Sequence, residues 1–279
     1  MRILDFLRSC LARKKSASIE PVDYIEPSSC TSHACSDSRG SHTTSYVNAE
    51  IENPEKGTRF GYYFLAEGFD SRDRSQTPPD AIVMKSITES LLDAPIERLA
   101  RKYTQRSDEE CESAIRVAFQ EAHKALRDRA VDTSYVTITG AFIRGRSITF
   151  GHVGANRLYW IERNTFQALT RDHMLKPMMP PYKTALYRVL GQEHLTIDVS
   201  THKNIDDGYL LLCTWRLWES VSEDNLRDTV MTSATLENAC TRILKKAWNP
   251  LEDRELALIV ASYSKPTRKI SPNNQTLPR

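Results

Sequence analysis

The chain has 279 residues, 40% of them apolar and 27% charged, with a formal net charge of +2. That is apolar material for one large domain or two small ones, and too little net charge for a global field that steers nucleic acid. The six cysteines lack tight metal-type spacing and fit a reduced, cytoplasmic chain better than a disulfide framework, and no apolar run approaches the ~20 residues of a bilayer-spanning helix.

The first fifteen residues, MRILDFLRSCLARKK, place Ile3, Leu4, Leu7 and Leu11 on one helical stripe, with Phe6 and Cys10 beside it and most of the arginines and lysines elsewhere on the wheel. Arg8 interrupts the apolar run and no cleavage site follows, which argues against a signal peptide. Two readings stand: an amphipathic helix that lies on an anionic membrane or docks on a partner, with Cys10 open to acylation, or a frayed terminus. Residues 16–45 are dense in Ser and Thr and read as a flexible linker. The spacing of Cys30, His33, Cys35 and His42 within it matches no closed zinc site.

The folded body is expected over 46–264, with 265–279 as a flexible tail. RFGYYFLAEG, residues 59–68, reads as a strand ending at a glycine turn, and 79–93 as an apolar helix that Pro95 ends or kinks. A second helix spans 108–130. Cys111, Ile115, Ala118, Phe119, Ala122 and Leu126 form its apolar stripe, and Asp108, Glu109 and Glu110 stand at its positive end. The period then changes to two, giving four strands between Ser134 and Thr170, with breaks at Gly145, Gly154 and Asn164. Strands follow at Leu195–Val199 and Tyr209–Cys213, helices at 222–231 and 235–248, and a closing strand in LALIVASY. This order predicts an α+β sandwich with sheets inside and helices outside. Tyr209–Cys213 runs into Thr214-Trp215-Arg216, a strand-to-loop junction of the kind where α/β enzymes keep their chemistry.

The segments YYFLAEG, ITFGHVGANRLYWIERNTFQALTRDH, LYRVLG, DDGYLLLCTWRLWESVSED and LALIVASY, in this order, resemble the metal-dependent Ser/Thr protein phosphatases, the PPM family. The resemblance runs from about residue 40 to 264. It implies the PPM phosphatase-like fold, two antiparallel sheets flanked by helices. It also implies a reaction in which two Mg or Mn ions share carboxylates and activate a bridging water. The positions that would carry that chemistry differ. Asn48 falls where the family has its first acidic ligand, and Thr43 where it has a phosphate-binding Arg. Glu67, before Gly68, replaces the Asp of Asp-Gly. Ala155 replaces the Asp of Gly-Asp-Ser-Arg, and Trp215 the Asp of Ser-Asp-Gly. Arg254 replaces the last Asp, and a slip of one residue offers Asp253 instead, with Glu255 following.

An indole offers one N–H and no acceptor, and hard cations need anionic oxygens. The resemblance, so altered, implies a catalytically inactive phosphatase-like module. It would have no metal cofactor and would act by binding or regulating a protein, such as a phosphoprotein, a kinase or a phosphatase. Arg157 and Arg216 are the candidate contacts to a partner or a phosphate. Arg254 is expected to pair with Glu67 in place of the missing cations. The alternative is an atypical active phosphatase with a reduced Mg or Mn site at Glu67, Asp253 and Glu255. A third reading makes the body a scaffold held at a membrane by residues 1–15. His152 is expected as a packed or surface strand residue rather than a base, and His173 as a structural residue bonded to Asp172 or to the backbone.

Overall fold

The structure is a computed structural model that describes residues 23–26, 29–37, 42–52, 59–69, 77–92, 99, 106–129, 134–175, 185–249, 256–265 and 267–270. In chain order the strands are β1 (Asp23–Glu26), β2 (Ser29–Asp37), β3 (His42–Glu52), β4 (Arg59–Phe69), β5 (Tyr135–Arg144), β6 (Ser147–Val153) and β7 (Arg157–Ile161). They continue as β8 (Phe166–Ala168), β9 (Met174–Leu175), β10 (Ala185–Leu186), β11 (Asp198–Lys203), β12 (Gly208–Cys213), β13 (Leu256–Ser264) and β14 (Thr267–Ile270). The helices are α1 (Pro79–Leu91), α2 (Asp108–Arg129), α3 (Trp215–Ser220), α4 (Glu223–Thr232) and α5 (Leu236–Ala247). Among the described residues no helix is long and apolar enough to cross a membrane.

Two five-stranded antiparallel sheets form the sandwich, in the orders β11-β6-β5-β4-β3 and β2-β13-β12-β7-β8. Alternation along each strand sends one set of side chains between the sheets and the other toward helices. On β4, Tyr63 and Leu65 enter the inter-sheet core with Phe150, Trp160 and Leu212. Tyr62, Phe64 and Ala66 face Ile87 and Phe119 of α1 and α2. On the outer face of the second sheet, Tyr159, Leu211 and Cys213 pack against Leu226, Val230 and Ile243 of α4 and α5. The helix caps follow sequence chemistry, with Ser222 and Thr235 accepting from Asn225 N–H and Asn238 N–H.

Several boundaries differ from the sequence expectation. Residues 16–45 are not one linker: β2 pairs with β13 along its whole length, Ser29 opposite Ser264 and Asp37 opposite Leu256, and Ala34 packs against the inter-sheet core. A ladder is made of backbone N–H and C=O groups, so a strand poor in large side chains still completes a sheet. Residues 265–279 are not one tail either, because β14 pairs with β1. The strand predicted at Leu195–Val199 lies at Asp198–Lys203, paired with β6 from His152 to Ser147. Trp215-Arg216 stands in the helix α3, not in a loop. Residues 1–15, with their predicted amphipathic helix, lie outside the described residues, as do Pro95 and 253–255.

Candidate functional site

Glu67 stands near the end of β4, 1% exposed, on the face turned toward the other sheet. Its neighbours across the ladder are Thr44 on β3 and Thr137 on β5. Asn48 pairs with Tyr63, four residues further along, which is about 13 Å at the rise of a strand. The β3 residue beside Glu67 is therefore Thr44, and Asn48 does not belong to this end. A spacing counted from Gly40 points to Asn48 instead, because the count does not see the β3–β4 turn whose length sets the register.

The opposite face of the same strand ends is also occupied. Asp80, in the first turn of α1, accepts from the hydroxyl of Thr43 and, at 2.6 Å, from that of Ser45. Thr43 thus binds a carboxylate where the resemblance expected a phosphate-binding Arg. Burial pushes the Asp80 carboxyl above its usual pKa, with the two hydroxyl donors opposing the shift. Gly68 is required by this approach: a Cβ there would lie 2.8 Å from Asp80 Oδ1 and 2.9 Å from Pro79 Cγ.

The turn between β6 and β7 brings Ala155 to the same end. Gly154 has a φ of +113° and lies so close to Thr137 that a Cβ would sit 2.4 Å from the Thr137 Cβ. Ala155 is 1% exposed. Asn156, fully buried, reaches the first sheet, its Nδ2 lying 3.4 Å from Leu65 O and 3.5 Å from Thr137 O. From the second sheet comes α3. Thr214 precedes it and exchanges bonds with Ala257 rather than capping the helix. Trp215 opens the helix, and Arg216 lies over its ring at 4.8 Å while pairing with Glu219 at 2.6 Å. One turn later Trp218 donates its indole N–H to Ala155 O at 2.8 Å.

Trp218 was not singled out as a site residue; the signal available was its position one helical turn after Trp215. Its ring also covers Arg157, whose Cζ lies 3.5 Å from the ring centroid. Arg157 forks onto Asp172 with Nε–Oδ1 at 2.9 Å and Nη2–Oδ2 at 2.7 Å, and its Nη1 reaches Tyr159 and Glu223. With those contacts Arg157 binds within the molecule instead of offering a free guanidinium to a partner or phosphate. Asp172 is thereby taken, and His173 bonds to Gly154 N–H and to Asp198 instead.

Two further groups are chemically quiet. His152 is buried, with Nδ1 2.8 Å from Thr139 Oγ1, and burial lowers its pKa to about 3, so it stays neutral. Burial likewise pushes the Cys213 thiol far up, which removes it as a nucleophile.

Glu67, Ala155 and Trp215 are thus brought to one end of the sandwich, while Asp253, Arg254 and Glu255 lie outside the described residues. The donor set at the described positions is one carboxylate, one methyl and one indole, with hydroxyls of Thr44 and Thr137 beside them. Two hard dications need several anionic oxygens, and this set does not fit them. Among the described residues no three or more His, Cys, Asp or Glu side chains are grouped to hold a metal ion.

No family model matches the chain. The serine/threonine phosphatase stp of Listeria welshimeri is 25% identical over 158 residues, which cover 50% of this chain and 63% of that protein. The match thus spans less than two thirds of the relative. Among solved structures, the serine/threonine phosphatase Stp1 from Staphylococcus aureus superposes with a TM-score of 0.65 at 17% identity, covering 88% of this chain and 99% of that one. The S. agalactiae serine/threonine phosphatase gives 0.66 at 17% identity, covering 84% and 99%. The catalytic domain of the serine threonine protein phosphatase PstP, solved in complex with two manganese ions, gives 0.64 at 14% identity, covering 85% and 100%. The chain has the PPM phosphatase-like fold, and part of it is distantly similar in sequence to a serine/threonine phosphatase.

Proposed function

We propose that this protein is a catalytically inactive phosphatase-like module that works by binding and regulating another protein, such as a phosphoprotein, a kinase or a phosphatase. The observation that carries the reading is the end of the sandwich around Glu67. There a methyl and an indole stand at positions where the resembled enzymes place carboxylates, and Trp218 closes over the Ala155 turn. Among the described residues the donor set around Glu67 holds one carboxylate, too little anionic oxygen for a pair of dications, and the two nearby histidines are not placed to activate water. His152 is sealed in the core and His173 is engaged with Gly154 and Asp198. The surviving carboxylate at Glu67 and the relationship to a phosphatase favour one alternative, an active enzyme with a reduced Mg or Mn site.

Manganese separates the two. A ligand at 100 times its dissociation constant stabilises the native state by about 2.7 kcal/mol. We expect no rise in melting temperature at millimolar manganese or magnesium, no calorimetric uptake, and no hydrolysis of a phosphoserine peptide. Metal-dependent stabilisation together with hydrolysis would establish the alternative. Partner capture is to be compared between the full chain and a chain begun at Asp23, because a cut at residue 45 removes β2 and part of β3.

A further inference from the structure

His173 fastens three segments at one point. Its N–H donates to Gly154 O at 2.7 Å, and its Nδ1 accepts from Gly154 N–H at 3.0 Å. Its carbonyl accepts from Tyr187 N–H at 3.0 Å, and its Nε2 lies 2.9 Å from Asp198 Oδ2. Arg188 holds the other oxygen of Asp198 at 3.1 Å. The residue therefore joins the β6–β7 turn, the segment after β10 and the start of β11.

One protonation state serves this arrangement. The amide of Gly154 needs a lone pair, so Nδ1 carries no proton and Nε2–H donates to Asp198. Arg188 Nη1, 3.4 Å from the same Nε2, meets it donor to donor, which leaves Asp198 as the partner of both. A proton added at Nδ1 would set two N–H groups against each other and remove the Gly154 bond.

The charged groups facing the ring divide. Asp198 on β11 and Asp172 beside it in the chain favour the cation, Arg188 opposes it, and the ring of His152 on β6 lies 4.8 Å away, tilted by 36°. Desolvation is the largest influence and lowers the pKa, with Asp198 working against it. The side chains of Asp198 and Arg188 are 45% and 36% exposed, so protons reach the outer rim of the cluster.

We propose that His173 is an acid-released clasp: its neutral ring ties residue 173 to the β6–β7 turn that carries Ala155, and protonation loosens residue 173 together with the segment 185–190, which bonds to its backbone carbonyl. Acidity would then change the surface presented beside the Glu67 end, where Tyr187 is already 41% exposed.

Amide hydrogen exchange tests the clasp at Tyr187 and Leu190, whose N–H groups bond to His173 O and Val136 O. From the ordinary histidine pKa of about 6.5 down to the lowered value of His173, protection at these amides is expected to fall by up to about tenfold per pH unit, while amides within α2 keep theirs. In His173→Gln the side-chain carbonyl still accepts from Gly154 and the amide still donates to Asp198, but nothing titrates, so protection should not respond to pH. Constant protection in the natural chain down to about pH 5, well below the ordinary histidine pKa, overturns the proposal. So does an equal fall in the glutamine variant. Should that variant fail to fold, the His173 resonance in NMR replaces it. A loss of protection that levels off at its titration midpoint supports the clasp, and a mismatch overturns it.

Discussion

Trp218 is the residue on which the altered end turns. Its indole N–H satisfies the carbonyl of Ala155, and its face covers the guanidinium that Asp172 holds in place. Trp218→Phe keeps a ring over Arg157 but strands the Ala155 carbonyl in a buried turn. We expect a loss of ~1–2 kcal/mol, the usual consequence of leaving one buried polar group unmade, measurable by urea unfolding. An unchanged denaturation midpoint would show that water reaches the turn and that Trp218 does not seal it. The identities at the site were open to a reader of the chain: an alanine after Gly154 and an indole after Thr214 cannot be ligands wherever they fold. What Trp218 and Arg157 do was not legible, because their partners lie 63 and 15 positions away, and nothing local encodes such contacts.

At the scale of elements, the contact between α1 and the end of β4 depends on Gly68. A methyl at that position meets Asp80 and Pro79 at the start of the helix, where both backbone and side chain are fixed. Gly68→Ala should cost ~1–3 kcal/mol through overpacking and should be relieved in part by Asp80→Ala, which clears the carboxylate. Additive losses in that double variant would locate the strain elsewhere. The N-terminal strands carry a second expectation. A chain begun at Asp23 should melt cooperatively, within a few degrees of the full chain. A chain begun at Tyr46 lacks β2 and the Thr43 and Ser45 contacts to Asp80, and should lose the cooperative transition. Cooperative melting of the shorter chain would mean that β2 adds little to the sandwich.

For the whole molecule, the buried histidines set the response to acid. Unfolded, an imidazole takes up a proton below about pH 6.5. In the folded chain His152 does so only near about 3, and His173 also below its ordinary value, burial being the first cause for both. Between those limits the unfolded state binds more protons at His152, so stability falls as the pH drops from about 6.5 toward 3, by up to ~1.4 kcal/mol per pH unit, and His173 acts in the same sense. The raised carboxyl of Asp80 acts in the opposite sense, favouring the folded state at low pH. Equilibrium unfolding across this range should therefore show a weaker acid dependence in His152→Asn than in the natural chain. Equal slopes would mean that other groups carry the acid response.

The amino-acid sequence by itself determined the elements whose periodicity is complete within one segment. Examples are the apolar stripe of α2 from Cys111 to Leu126, the alternating strands β5 to β8, and the Ser222 and Thr235 caps. It also determined, through the residue types at positions 67, 155 and 215, that the end gathering them offers one carboxylate at these places. Tertiary structure alone decided that β2 completes the second sheet, that Thr44 and not Asn48 stands beside Glu67, and that Arg157 turns to Asp172 beneath Trp218. The physical reason is range. Helical and strand periods arise from neighbours along the chain, whereas ladder pairing and register are set by backbone groups and turn lengths that few side chains announce.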